Sequence, residues 1–249
     1  MTWAYLDHPG PIAFAHRGGA SEHPENTMPA FEHAVGLGYR YLETDAHATA
    51  DGVLVAFHDN VLDRVTDRRG VIAQLPWDSV RQARLGEVGI PLMQDLLTAW
   101  PEVRVNIDLK HEASVGPLVD VIDRTGAHDR VCVASFSGKR LDRFRRLTGG
   151  RVCTAIGPAG LARLRGAGFG LPAGRFGGAC AQVPVRQGPV LILDRRFVEV
   201  AHRHSLPVHV WTIDDEAEMD RLLDLGVDGI MTDRPSVLKA ILVRRGQWT

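Results

Sequence analysis

The sequence has 249 residues, of which 45% are hydrophobic and 24% charged, and these proportions exclude a disordered or fibrous chain. Its 29 basic and 30 acidic residues nearly cancel, which argues against nucleic acid as a partner and against a global attraction to an anionic membrane. Met1 to Pro11 lacks the basic patch and apolar run of a secretory signal, and no stretch has the length of a spanning helix. We therefore expect a cytoplasmic protein without stable membrane insertion.

Nine short apolar segments, rich in β-branched residues, alternate with helical patterns along the chain. The third segment follows the turn residues Asp51-Gly52 and is predicted to fold back on the second as a hairpin. The segments are Pro11 to Ala15, Tyr39 to Asp45, Val53 to His58, Val103 to Leu109, Arg130 to Ser135, Arg151 to Ile156, Gly178 to Val183, Pro207 to Thr212 and Gly229 to Thr232.

Helices are predicted between these strands, and Gly157 to Gly178 is predicted as one weak helix followed by a long loop. The remaining eight strands predict a single α/β domain over residues 1–249, a (β/α)8 TIM-type barrel with its active site at the C-terminal ends of the strands. A doubly wound open sheet is the alternative. The other helices are predicted at Met28 to Leu37, Met93 to Trp100, Val115 to Arg124, Lys139 to Leu147, Arg195 to His204, Ala217 to Leu225 and Pro235 to Arg244.

The cysteines are odd in number and widely spaced, each within an apolar segment. This pattern suits neither a disulfide framework nor a zinc site, so Cys132, Cys153 and Cys180 are predicted as core residues.

Polar residues follow the first strand directly. His16 and Arg17 come at its end, and Gly18 and Gly19 would allow close approach of a ligand. A lone histidine is commonly an ordinary surface or core group, and Asn26 or Thr27 could simply cap the next helix. These residues therefore become informative only together with the following strands.

Two carboxylates end the second strand. Glu43 and Asp45 are two apart, so their side chains share one face and need a cation if they point inward. Neutralisation by arginines of the barrel is the alternative to a metal ion. The hairpin then returns His58 to the same end of the sheet.

The fourth segment alternates strictly. Asn106, Asp108 and Lys110 share one face, opposite apolar residues. Oxygen ligands without thiolates suit a hard divalent cation, Mg²⁺ or Ca²⁺, and Arg17 beside Lys110 suits a phosphate. Histidines, cations and a phosphate site together favour phosphoester cleavage, since an imidazole can give or take a proton at neutral pH.

The ordered motifs resemble those of the glycerophosphodiester phosphodiesterase family over nearly the whole chain, although Thr125 to Pro207 carries little beyond spacing. The motifs are His16-Arg17-Gly18, Pro24-Glu25-Asn26-Thr27, Glu43-x-Asp45, Thr49-x-Asp51-Gly52, His58-Asp59, Leu62-x-Arg64-x-Thr66, Asn106-Ile107-Asp108-Leu109-Lys110, Val210-Trp211-Thr212-Ile213 and Gly226 to Pro235.

The resemblance implies metal-dependent hydrolysis of a small glycerophosphodiester to sn-glycerol 3-phosphate and an alcohol. It implies His16 and His58 as the acid–base pair and Glu43, Asp45 and Asp108 as ligands of Mg²⁺ or Ca²⁺. It also implies a substrate site in which Arg17 and Lys110 hold the phosphate, Glu25 and Asn26 shape its surroundings, and Trp211 walls the glycerol pocket.

The chain departs from the family pattern at Asp108, where the family usually has glutamate, and the segment between Arg68 and Met93 is short, which suggests an open site. A second interpretation keeps the site but assigns a lysophospholipase D-like or other diester substrate. A third is a non-catalytic barrel that binds a phosphorylated ligand. The preferred alcohol, the choice of metal, a cyclic phosphate intermediate and the oligomeric state are not determined by the sequence.

Overall fold

The structure is a computed structural model that describes residues 3–249, in which strands and helices alternate along the chain. The strands are β1 (Ile12–Ala15), β2 (Tyr41–Ala48), β3 (Leu54–Ala56), β4 (Arg84–Leu85), β5 (Val88–Gly89), β6 (Arg104–Leu109), β7 (Val131–Ala134), β8 (Cys153–Thr154), β9 (Ala181–Val183), β10 (Arg186–Gln187), β11 (Val190–Leu191), β12 (Val208–Val210) and β13 (Gly229–Thr232). The helices are α1 (Met28–Gly36), α2 (Trp77–Val80), α3 (Met93–Ala99), α4 (Val115–Thr125), α5 (Gly138–Leu147), α6 (Pro158–Ala167), α7 (Arg195–Arg203), α8 (Glu216–Leu225) and α9 (Pro235–Arg244).

Eight parallel strands form the barrel wall in the order β8-β7-β6-β2-β1-β13-β12-β9. The two ends of this sheet meet through a parallel bridge between Ala155 and Cys180. Backbone hydrogen bonds support this seam, from Ile156 N to the Cys180 carbonyl at 2.9 Å and from Ala179 N to the Thr154 carbonyl at 2.7 Å. The closed sheet confirms the predicted TIM-type barrel and excludes the doubly wound alternative.

The predicted hairpin is present. β3 pairs antiparallel with β2, and Ala46 lies opposite Ala56. The chain therefore turns back at Asp51-Gly52, where Gly52 has a φ of 83° that favours glycine. This return places His58 beside the carboxyl end of β2.

The main hydrophobic core forms where the amphipathic helices pack their apolar faces against the outer face of the barrel. In α4, for example, Leu118, Val119 and Ile122 are buried, and helices begin at capping residues such as Thr27, whose hydroxyl accepts from Ala30 N. The barrel interior near the amino ends of the strands holds Cys132, Cys153 and Cys180, which are buried with free thiols, as predicted.

Three short elements have no counterpart in the sequence prediction: α2, the hairpin β4–β5 and the hairpin β10–β11. Helix α2 and β4–β5 pack with Phe57, Leu62 and Ile72 in a separate small core. Gly157 to Gly178 contains one helix, α6, followed by a loop, as predicted.

Within residues 3–249, every helix is too short or too polar to cross a bilayer.

Candidate functional site

A cavity of about 200 Å³ lies at the carboxyl ends of the barrel strands and gathers eight of the ten predicted site residues. Glu25 and Asn26 are the other two, and they stand behind its wall. The cavity is lined by His16, Arg17, Glu43, Asp45, His58, Asn106, Asp108, Lys110, Ala134, Ser135, Phe136, Ala155, Ile156, Pro158, Leu161, Gln182, Trp211, Thr212 and Met231.

His16 is held by a carboxylate from the last strand's end. Its Nδ1 lies 2.6 Å from Asp233 Oδ1, and Asp214 Oδ1 in turn accepts from the backbone N–H of Asp233 at 2.8 Å. Burial lowers the pKa of His16, but the carboxylates of Glu43 and Asp233 outweigh that effect and raise it above its ordinary value. The protonated form of His16 is therefore favoured over that of a free imidazole, and Nε2 is the ring nitrogen that does not bind Asp233.

His58 is held in the same way by its neighbour. Its Nδ1 lies 2.6 Å from Asp59 Oδ1, and Arg64 donates from Nε to Asp59 Oδ2 at 2.6 Å. Arg64 also donates to the carboxylate of Glu25. Glu25 therefore connects the loop that carries His58 with the loop that carries His16. His47 is buried, and its Nε2 lies 3.1 Å from the His58 carbonyl, which fixes the backbone there.

Arg17 adopts a left-handed backbone conformation, with a φ of 51°. This turn lets its N–H donate to Glu43 Oε2 at 3.1 Å while its guanidinium donates from Nη1 to Glu25 Oε1 at 3.1 Å. Its Nε lies 3.3 Å from Asp45 Oδ2, a charge contact without hydrogen-bond alignment, so this buried N–H has no partner among residues 3–249. The guanidinium is thereby fixed beside the cavity, where its positive charge can attract an anion.

Asn26 also has a left-handed backbone, with a φ of 54°, and is nearly fully buried. Its Nδ2 donates to Asp45 Oδ2 at 3.0 Å, and its Oδ1 accepts from the Thr44 hydroxyl at 2.7 Å. Asn26 therefore orients Asp45 from behind the cavity.

Lys110 lies between two carboxylates. Its Nζ is 2.9 Å from Asp45 Oδ1 and 2.8 Å from Asp108 Oδ2. Burial alone would raise the pKa of Asp45, but Lys110 and Arg17 hold it below the ordinary range. Neutralisation of a carboxylate by barrel cations, the alternative to a metal ion, is thus present at Asp45.

Glu43 has a different environment. It is buried, and burial together with the charge of Asp45 raises its pKa to about 7. A carboxyl group with this pKa is only partly ionised at neutral pH, so added positive charge nearby would draw off its proton.

The three predicted metal ligands offer suitable donors but are not gathered around one point. Among residues 3–249, no three His, Cys, Asp or Glu side chains are grouped closely enough to hold a metal ion as they stand. Asp45 and Asp108 are nevertheless paired across β2 and β6, and Asp108 Oδ1 is buried without a hydrogen-bond partner within the described chain. Unpartnered carboxylate oxygens are the donors that hard divalent cations prefer, so the residues fit such a cation chemically.

The opposite wall is apolar. Trp211 packs edge-to-face against Phe136 with ring centroids 5.6 Å apart, and Ile156 and Leu161 extend this wall. Phe136 is 64% exposed and lies 5.8 Å from Lys110 Nζ. Trp211 thus lines the cavity on its apolar side.

The floor is polar. Gln182 Nε2 donates to Asn106 Oδ1 at 2.7 Å, and both side chains line the cavity. His209 lies beneath them, and complete burial lowers its pKa to about 4, so this ring stays neutral.

Sequence reasoning missed the residues that orient the two histidines. Asp59 and Asp233 both lie in recognised motifs and directly follow strand-end residues, which is the signal that could have identified them. Phe136 also follows a strand end, two residues after β7, but a single aromatic residue there carries no pattern.

The geometry supports proton transfer beside an anion. Two imidazoles with anchored Nδ1 atoms share one cavity with Arg17 and Lys110, whose positive charges can neutralise phosphate oxygens. One imidazole can accept a proton and the other can donate one, as cleavage of a phosphodiester requires.

Comparison with known proteins gives a consistent result. Residues 16–237 match the family model described as "Glycerophosphoryl diester phosphodiesterase family". The "Probable glycerophosphodiester phosphodiesterase 2" of Mycobacterium tuberculosis is 42% identical over 257 aligned residues, which cover 99% of this chain and 96% of that protein.

Solved structures share the fold. A phosphodiesterase from Oleispira antarctica, solved in complex with the product sn-glycerol-3-phosphate, superposes with a TM-score of 0.80 at 22% identity, covering 94% of this chain and 97% of its own. A glycerophosphodiester phosphodiesterase from Agrobacterium tumefaciens superposes with a TM-score of 0.76 at 21% identity, covering 92% and 99%. At these identities the likeness concerns the barrel itself.

Proposed function

The chain belongs to the glycerophosphoryl diester phosphodiesterase family, and from this membership we propose that it hydrolyses small glycerophosphodiesters to sn-glycerol 3-phosphate and a free alcohol. The observation that carries the proposal is the pair of histidine–aspartate contacts, each 2.6 Å long, whose histidines line one cavity together with Arg17 and Lys110. A non-catalytic binder would not need two oriented imidazoles beside a phosphate site.

In this mechanism the cations bind the phosphate. Arg17 and Lys110 neutralise its oxygens, and Trp211 packs against the glycerol carbons. His58 accepts the proton of the nucleophile. A water molecule as nucleophile gives sn-glycerol 3-phosphate directly, whereas attack by the glycerol 2-hydroxyl gives a cyclic phosphate that a water molecule then opens to sn-glycerol 3-phosphate. His16, whose protonated form the Asp233 carboxylate favours, gives a proton to the leaving alkoxide.

We also propose that the reaction depends on a divalent cation, Mg²⁺ or Ca²⁺, held by Glu43, Asp45 and Asp108. The buried free oxygen of Asp108 and the partly protonated Glu43 support this assignment. When bound, such an ion would polarise the phosphate and neutralise the charge that develops on it.

The test is release of sn-glycerol 3-phosphate from glycerophosphocholine by chelator-stripped protein, with Mg²⁺, Ca²⁺ or Mn²⁺ added back separately. We expect release only with added metal. If folded protein hydrolyses no glycerophosphodiester with any of the metals, the proposed substrate class is overturned. If the chelator-stripped protein keeps full activity without added metal, the metal dependence is overturned.

Asp108→Ala should raise the metal concentration needed for half-maximal activity by about tenfold or more, because it removes one charged oxygen ligand. The measurement is a metal titration of initial rates. Asp108→Glu, which restores the carboxylate, should recover most of the metal affinity. An unchanged titration for the alanine variant would remove Asp108 from the ligand set.

Asp233→Asn should shift the alkaline limb of the kcat/KM profile to lower pH. The carboxylate of Asp233 raises the pKa of His16, so its loss lowers that pKa and the imidazolium is depleted earlier as pH rises. Rates measured from pH 5 to 10 would reveal the shift. Asp59→Asn is the matched change at the other histidine and should leave the alkaline limb of the profile at its wild-type pH. If Asp233→Asn does not shift that limb either, the acid role of His16 is contradicted.

A lysophospholipid diester is the second candidate substrate, and the exposed Phe136 at the cavity mouth favours it. An apolar mouth can accept an acyl chain. Comparing kcat/KM for lysophosphatidylcholine and glycerophosphocholine separates the two substrates.

A further inference from the structure

Charge is strongly segregated along this nearly neutral chain. Residues 136–196 contain 12 lysines or arginines and 2 aspartates, whereas the rest of the chain contains 17 basic and 28 acidic residues. The segment covers α5, α6 and the start of α7, beside the neighbouring strands β7, β8 and β9, so the excess of positive charge lies on one side of the barrel.

Exposed apolar side chains cluster in the same segment. Six of the seven large hydrophobic residues that are exposed within residues 3–249 lie between positions 136 and 191. Five of them, which we call the apolar rim, are Phe136, Phe169, Leu171, Val190 and Leu191. Isolated exposed hydrophobic residues are common, so it is their concentration in one segment of the chain that calls for an explanation.

The apolar rim lies at the end of the barrel that holds the cavity, where the carboxyl ends of the strands meet. Phe136 lines the cavity, and the hairpin β10–β11 follows the carboxyl end of β9. Val190 and Leu191 are both exposed although successive strand residues point to opposite faces, so this hairpin projects from the barrel. Phe169 lies 5.4 Å from the guanidinium of Arg196, in the first turn of α7, which also begins at this side.

Basic side chains alternate with the rim. Lys139 follows Phe136 by three positions and is exposed, as is Arg186 on the hairpin. Arg196 stands over Phe169. Among the residues that the structure describes, none of these three has a carboxylate within 4.0 Å. Their charges are available to an anionic partner.

We propose that the apolar rim and its basic residues dock the protein on the surface of an anionic lipid bilayer, with the cavity mouth toward the lipid. Apolar side chains enter the interfacial region while lysine and arginine bind acidic headgroups, which is the pattern of peripheral membrane proteins. Docking needs no catalysis, so it stands or falls apart from the proposed function.

An anionic bilayer explains the rim better than nucleic acid does. Nucleic acid would use the basic side chains but would give exposed aliphatic residues such as Leu171, Val190 and Leu191 nothing to bury against. The nearly neutral net charge of the whole chain does not reveal this basic surface, because the 28 acidic residues outside segment 136–196 offset its positive charge.

The test is sedimentation of the full chain with vesicles of phosphatidylcholine alone or with about one-third phosphatidylglycerol. We expect at least about tenfold more binding to the anionic vesicles, decreasing with added salt. The double variant Val190→Asp, Leu191→Asp should lose about tenfold or more of this binding. Arg186→Gln should lose about fivefold, the equivalent of about 1 kcal/mol per basic residue.

Matched controls come from outside the rim. Val243 is 55% exposed, close to the 56% of Val190, and Val243→Asp should leave vesicle binding unchanged. Arg40 is exposed before the amino end of β2, and Arg40→Gln is the control for Arg186→Gln. Circular dichroism and hydrolysis of glycerophosphocholine without vesicles would show that each variant is folded.

Wild-type protein that stays in the supernatant with anionic vesicles would overturn the proposal. Equal losses for the rim variants and their controls would do the same, since binding would then not depend on this surface. A third outcome would assign the surface to polyanions in general instead of lipid. In that outcome Arg186→Gln weakens vesicle binding, the double aspartate variant does not, and the protein binds DNA as well as it binds anionic vesicles.

Discussion

His16→Ala and His58→Ala should each lower kcat for glycerophosphodiester hydrolysis by about 10²–10⁴-fold, because each would remove one of the two groups that we propose transfer protons. Both rings line the cavity, and neither anchors the core. Steady-state rates at saturating metal give the loss, and far-UV circular dichroism should show an unchanged fold.

The orienting carboxylates supply the matched comparison. Asp59→Asn and Asp233→Asn keep each histidine but lose the charge 2.6 Å from its Nδ1, so they should cost less than the alanine variants. Near-normal turnover in either histidine variant would remove that residue from the acid–base pair.

Lys110→Met should destabilise the metal-free protein by about 3–5 kcal/mol, because it leaves the buried carboxylate of Asp45 without its ammonium partner. Lys110 Nζ lies within 3 Å of both Asp45 and Asp108, and these carboxylates would remain without it. Denaturant unfolding with chelator present measures the change in the free energy of unfolding. The same variant should also lose phosphate binding and turnover.

Metal should offset part of this loss. The proposed divalent cation would bind the carboxylates of the folded state only, and would stabilise that state by an amount that grows with the logarithm of its concentration over its Kd. Lys110→Arg keeps the charge and should recover part of the stability. A methionine variant as stable as the wild type in chelator would mean that Asp45 and Asp108 are not charged partners of Lys110 in solution.

The barrel could be predicted from the sequence because the patterns that indicate its strands and helices are local. Each strand carries an apolar run, and the alternation of Asn106, Asp108 and Lys110 against apolar neighbours fixed which face of β6 points inward. Hairpins β4–β5 and β10–β11 escaped because two-residue strands carry no periodicity.

The site was accessible only in part. Parallel strands bring their carboxyl ends together, so the gathering of Glu43, Asp45 and Asp108 at one end followed from strand order. The contact of His16 with Asp233 spans 217 positions, and no local pattern encodes such a pairing. The position of Lys110 between two carboxylates likewise depends on side-chain packing.

The left-handed backbone at Arg17 and Asn26 has an energetic consequence for turnover. Each such residue costs of the order of 1–3 kcal/mol, and buried contacts with Glu43 and Asp45 keep both in place. Folding therefore meets the cost of immobilising the Arg17 guanidinium, which we propose binds the phosphate, once, before any substrate arrives. Each catalytic cycle then begins from a preorganised site, and less of the substrate's binding energy is consumed in ordering the loop that receives it.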